Sequence, residues 1–222
     1  MHEINFDESQ FKLGRFAAHD YFGDGSFYLL DSPGHAIGHM CGLARTTANT
    51  FVFLGGDICH FSGVHRPTDQ IPLPDVIPND QLDQDIASPC PCSLFTLKHP
   101  LTDPATPAAR TTPFFDVTST TPSSYLDRET AMKSIRGMQD FEASPNVLVC
   151  LAHDPTLITT LPLLNSRPEE DLNEWKARGY KERLLWGWLN ELPRDGRPGR
   201  PMLADGTFRN GEKVDDFLAL RS

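Results

Sequence analysis

Three short apolar runs, each built from strand-forming residues, lead directly into a loop that carries histidine or aspartate. Residues 27–30 (Phe-Tyr-Leu-Leu) lead into Asp31-Ser-Pro-Gly-His35-Ala-Ile-Gly-His39. Residues 51–54 (Phe-Val-Phe-Leu) lead into Gly-Gly-Asp57, and residues 147–151 lead into Ala-His153-Asp154. Apolar runs of this length, bounded by Gly and Pro, predict strands. In α/β proteins, ligand sites lie beyond the carboxyl ends of strands. Strand ends that offer His, Asp and His therefore predict a metal site. Imidazole and carboxylate together suit zinc, and also iron or manganese.

The remaining pattern is that of an α/β chain. Residues 1–26 are mixed and turn-rich, with a turn at Gly23-Asp24-Gly25. Residues 39–45 form a second extended run. The polar turn at 46–49 joins it to 51–54 and predicts an antiparallel pair. Residues 62–123 hold most of the prolines, show little periodicity, and read as a long surface excursion that partly covers a cleft. Ser124-Tyr-Leu-Asp127 can start a helix, and Met132, Ile135, Met138 and Phe141 supply its apolar stripe. Pro145 ends that helix just before a strand over 147–152, and a helix feeding a strand is an α/β signature. Ser166-Arg-Pro-Glu169 predicts another helix start. Trp175, Tyr180, Leu184, Leu185, Trp188 and Leu189 form a stripe over two short helices broken at Gly179. Residues 193–211 read as a loop.

Composition bears on partners and compartment. With 222 residues the chain suits a single domain over 1–222. A formal net charge of −10 argues against nucleic acid and against anionic membrane surfaces, both of which reward clustered Lys and Arg. No apolar run approaches the roughly 20 residues needed to span a bilayer. The opening residues lack the basic start and apolar stretch of a signal peptide, so a soluble, cytoplasmic protein acting on a small-molecule substrate is expected. The five cysteines, Cys41, Cys59, Cys90, Cys92 and Cys150, are an odd number and predict no disulfide framework. Cys90-Pro-Cys92 is too tightly spaced for a zinc knuckle. The oligomeric state has no sequence signal.

His35 and His39 are four residues apart, which on a helix would put both on one face. Pro33, Gly34 and Gly38 favour a loop instead, so the two need not bind the same ion. Pro33-Gly-His-Ala-Ile-Gly-His39 resembles the PGHxxGH loop of the metallo-β-lactamase superfamily. Leu54-Gly-Gly-Asp57 resembles that family's following motif, and Leu151-Ala-His153-Asp154 its last ligand motif. Order and spacing agree over roughly residues 20–190. The nearest resemblance is to lactonase-like members, with glyoxalase II more distant.

The resemblance implies a function as well as a fold. His39 would be a ligand of a first metal, Asp57 would bridge two metals, and His153 would be a ligand of the second. The ions would be zinc, with iron or manganese as alternatives. His35 matches a non-ligand position and is expected to be structural. His60, three residues after Asp57, stands where some lactonases place a substrate-contacting Tyr; Asp57 and His60 are the expected catalytic pair. The implied chemistry is attack of a metal-held hydroxide on a lactone, ester or thioester carbonyl.

The family's upstream HxHxDH motif has no counterpart, because no two of the eight histidines are spaced as His-x-His. The implied fold is therefore the C-terminal half, with part of the core, of an αβ/βα sandwich, with one sheet face left apolar and open. Each metal would keep two protein ligands where catalytic zinc normally has three. Little activity is expected of this polypeptide alone, and a catalytically inert binding module is the alternative reading. His2, His19, His65 and His99 are expected at the surface or in loops, and Trp175, Trp186 and Trp188 in packing.

Overall fold

Short runs of aromatic and aliphatic residues are separated by glycine-rich or polar turns through the first quarter of the chain, and these segments pair as a meander. The strands are β1 (Lys12–Leu13), β2 (Phe16–Asp20), β3 (Phe27–Asp31), β4 (Met40–Arg45) and β5 (Phe51–Gly56), each antiparallel to the next along the sheet. The two-stranded pair β6 (Val76–Ile77) and β7 (Cys90–Pro91), the short helix α1 (Ser93–Thr96) and the long helix α2 (Arg128–Ala143) follow. Next come β8 (Val147–Leu151), α3 (Thr156–Thr160), α4 (Tyr180–Arg183) and the hairpin β9 (Thr207–Arg209) with β10 (Glu212–Val214). The computed structural model describes residues 4–6, 10–118, 123–193, 199–200, 207–209 and 212–214.

The main sheet has the order β1-β2-β3-β4-β5-β8, and it is mixed because β8 lies parallel to β5. Parallel neighbours need a crossover, and α2 supplies it. Ala131, Ile135 and Met138 of α2 pack on Phe16, Leu30, Leu43, Phe53 and Val149, which alternation puts on one sheet face. The other face is covered at β5 and β8, where Val52 and Leu148 pack against Trp175, Tyr180 and Leu184. On the uncovered part Met40 and Leu54 stay 42% and 44% exposed. Among the described residues no helix is long and apolar enough to cross a membrane.

Several expectations change here. Residues 12–13 and 16–20 are paired strand around a turn at 14–15, where the sequence read as mixed and turn-rich. The segment at 62–118 has a core of its own rather than only draping the surface. Leu73, Ile77, Phe95 and Phe114 bury with Trp186, Trp188 and Leu189, and Phe114 stacks edge-on against Trp188 at 5.3 Å. No helix starts at Ser166. Residues 166–179 run through turns until Gly179, at φ 65°, redirects the chain into α4. A left-handed residue cannot continue a right-handed helix, so Trp175 stays in the turns before Gly179, and the rest of the stripe lies on α4, the residues just after it and a 3-10 turn at Gly187–Glu191. The three tryptophans are buried, as expected of packing residues.

Candidate metal centre

Three loops at one end of the sheet converge: the β3–β4 loop with His35 and His39, the loop after β5 with Asp57 and His60, and the loop after β8 with His153. Local backbone requirements explain their shapes. Gly34 adopts φ 126°, and a Cβ there would lie 2.2 Å from the backbone nitrogen of Ala131. The β3–β4 loop can therefore lie directly on the first turn of α2 only with glycine at this position. Hydrogen bonds fix that contact. Asp127 N–H donates to Gly34 O (2.9 Å), Leu126 N–H to His35 O (3.0 Å), and Ser134 Oγ to Pro33 O (2.7 Å). At the end of β5 the pairing with β8 slips by a bulge between Leu54 and Gly56, and Gly56 takes φ 54°. That bend turns Asp57 toward the other two loops.

His39 is held at both ring nitrogens. The Asp57 backbone N–H donates to His39 Nε2 at 3.1 Å, so Nε2 is unprotonated. Nδ1 then carries the proton and faces Ser32 O at 3.0 Å and Ser32 Oγ at 2.9 Å. Asp57 lies between two other imidazoles. Its Oδ1 is 3.0 Å from His153 Nε2, and its Oδ2 is 3.6 Å from His35 Nε2. The side chains of His153 and Asp57 are 53% and 41% exposed, so their pairing contributes little to stability, as exposed ion pairs generally do.

His60 is at the centre of the group. Its ring lies 4.5 Å from that of His153, 4.9 Å from that of His35 and 4.9 Å from that of Tyr125. Burial lowers its pKa below the ordinary imidazole value, and the neighbouring His153 and His35 lower it further, so the ring is neutral at pH 7. Its backbone N–H donates to Tyr125 Oη at 2.9 Å, and burial raises the phenol pKa well above its usual range. Tyr125 therefore remains a neutral platform on which His35 and His60 both rest.

The donor set fits a transition-metal cation. His35, Asp57 and His60 each present one ligand atom, all within 4.8 Å of one another. His35 Nδ1 and His60 Nε2 are buried with no hydrogen-bond partner. Buried polar atoms are normally paired, so these two orphans have unused lone-pair or proton capacity at the site.

All four positions expected from sequence, His39, Asp57, His60 and His153, come together. His35, which the resemblance left outside the ligand set, is among them beside Asp57. Tyr125 carried no sequence signal beyond its place ahead of α2, and only the tertiary contact reveals it. His65 and His99 are not surface residues: they are 0% and 6% exposed. His65 packs beside Cys59 and Glu142, and His99 holds Thr112 O. His2 lies outside the described residues.

Relatives carry names that bear on this geometry. The chain is 39% identical over 213 residues to gamma-lactamase FDB1 of Fusarium pseudograminearum, covering 95% of this chain and 47% of that protein. It is 41% identical over 192 residues to metallo-hydrolase mfmC of Annulohypoxylon moriforme, covering 86% and 46%. It is 47% identical over 136 residues to gamma-lactamase MBL2 of Gibberella moniliformis, covering 60% and 54%. The chain thus spans about half the length of these curated relatives. No family model matches it, and neither does any solved structure.

Proposed function

We propose, from the metallo-β-lactamase-fold hydrolase family that these relatives support, that the chain carries a metal-dependent hydrolytic centre opening a small cyclic acyl compound such as a γ-lactam or lactone, or cleaving an ester or thioester. The observation that carries this reading is the convergence of His35, His39, Asp57, His60 and His153 at the carboxyl ends of the strands. Imidazole and carboxylate donors suit zinc, with iron or manganese as alternatives. A bound ion would supply Lewis acidity toward a carbonyl oxygen and a water of lowered pKa.

The chain's own groups have separable roles. Asp57 and His153 would hold the ion, with His39 as the third family-implied position. Asp57 turns one carboxylate oxygen toward His153 and the other toward His35, so it would be placed to hold an ion on either side. Ser32 keeps the His39 proton at Nδ1, which leaves Nε2 as the lone-pair nitrogen. His60, with its pKa lowered, offers one lone-pair nitrogen that can take a proton or a cation, while its other ring nitrogen carries the N–H. The half-exposed rims of Asp57 and His153 leave the cluster open to a small substrate.

The test is metal content followed by turnover. The purified chain is dialysed against a chelator, reloaded with zinc, and assayed on a γ-lactam and a γ-lactone. Retained metal is expected, with turnover above a zinc-only blank that Asp57→Asn lowers at least about a hundredfold. Metal retention without turnover on any acyl substrate would replace the hydrolase by a metal-dependent binding module. No retained metal would remove both.

A further inference from the structure

We infer that His35 and His60, together with Asp57, form a binding site for one divalent transition-metal cation. His35 belongs to no ligand position that the motifs suggest, and His60 to a position otherwise read as facing substrate. The inference shares with the hydrolase reading the premise that a cation binds at Asp57, and it goes beyond that reading by naming donors other than His39 and His153.

Four observations carry it. First, the three side chains offer ligand atoms within 4.8 Å of one another, a separation that a single ion can draw together with small rotamer adjustments. Second, His35 Nδ1 and His60 Nε2 are buried and unpartnered, whereas His39 commits both of its ring nitrogens to the protein. His39 can ligate only after the Asp57 N–H gives up Nε2; His35 and His60 break no such bond. Third, Asp57 Oδ2 faces His35 while Oδ1 faces His153, so the His35 side of the carboxylate is separate from the His153 side. Fourth, the donors sit on fixed supports. Gly34 and Ser134 fix the His35 loop against α2, and Tyr125 holds the His60 backbone. Two imidazoles and one carboxylate make three protein ligands with room for water, which matches an open zinc- or cobalt-type site rather than an oxygen-rich calcium site.

Cobalt(II) is the probe, since its visible band reports coordination without any turnover. The metal-free chain is titrated with cobalt chloride, alongside His35→Ala, His60→Ala, His39→Ala and His153→Ala, each first shown by circular dichroism to fold. One cobalt that depends on His35 and His60 is expected, whether or not His39 and His153 hold another. His35→Ala and His60→Ala should each weaken it more than about a hundredfold, beyond what losing a supporting hydrogen bond costs a metal site. His60→Cys should restore binding with a sulfur-to-cobalt charge-transfer band that is absent from wild type and from His60→Ala, which retain the same five free cysteines. Unchanged cobalt affinity in both alanine variants, with loss confined to His39→Ala and His153→Ala, overturns the inference and leaves the hydrolase reading in place. Failure of the folded chain to bind cobalt at all overturns both.

Discussion

Glu142 shows how one residue can set the acid limit of the fold. It is 2% exposed, and its Oε1 accepts from Arg66 Nε at 2.7 Å while His65 Nε2 lies 3.5 Å away. Burial pushes this carboxyl up, but Arg66 and His65 outweigh burial and hold it well below the ordinary value of 4.5. A depressed carboxylate pKa stabilises the fold above the unfolded value, and that stability is lost as pH falls through the folded one. Urea unfolding should therefore weaken progressively below about pH 4.5. Glu142→Gln should remove much of that acid limb and cost about 3–5 kcal/mol at pH 7, because Arg66 is left buried and uncompensated. A variant as stable as wild type at pH 7 would show that the pair does not hold the molecule together. The sequence marked Glu142 only as a helical position; its partner is 76 positions away.

The contact between the β3–β4 loop and α2 is the element on which the site depends. The loop is seated by backbone proximity at Gly34, not by a side chain. Gly34→Ala should therefore destabilise the chain by about 2 kcal/mol or more, since a Cβ meets backbone that cannot yield and the φ is already unfavourable. Cobalt affinity should fall with it, because the same loop carries His35 and His39. Gly38 is the control: it also has a positive φ, of 73°, but a Cβ added there would meet nothing within 4 Å. Gly38→Ala should cost only the conformational penalty of about 1 kcal/mol. Equal losses in the two variants, measured by urea midpoint, would show that close packing at Gly34 has no special role. The strands and α2 were legible because each has a local signal: a short apolar run of strand formers ended by glycine at 51–54, and three-residue spacing from Met132 to Phe141. The strand at Phe16–Asp20 was not legible, because Phe16 and Ala18 are its only core residues and too few to show a period.

At the scale of the molecule, the candidate centre joins loops that follow β3, β5 and β8, and so joins the meander to the parallel crossover. A cation bound there binds the folded chain and not the unfolded one, and by mass action it stabilises the fold. At a hundredfold excess of zinc over its Kd, the gain is about 2.7 kcal/mol. For a chain of this size that raises Tm by roughly 5 to 10 °C. Thermal melts with zinc, with chelator and with Asp57→Asn check this: the rise should reverse with chelator and be absent in the variant. A second assembly adjoins the centre through Phe61, where the core of the 62–118 segment closes on Trp186 and Trp188. Arg66 adds to it, its Nη1 donating to Leu184 O at 2.8 Å while it pairs with Glu142 of α2.

By itself the sequence determined the α/β alternation, the position of the strand ends, and the residue types placed at those ends. Each of these is a local property, fixed by side-chain period, by Gly and Pro punctuation and by motif spacing. Only the tertiary structure decided which of those residues have free donor atoms. His39 is the ligand position the motif favours, yet in the fold Asp57 N–H and Ser32 occupy both of its nitrogens. His35, which the motif leaves aside, comes to lie against Asp57 and His60 with an unpartnered nitrogen. Hydrogen-bond satisfaction is a pairwise property of groups far apart in the chain, so no local pattern encodes it, and the three loops settle it only when they meet.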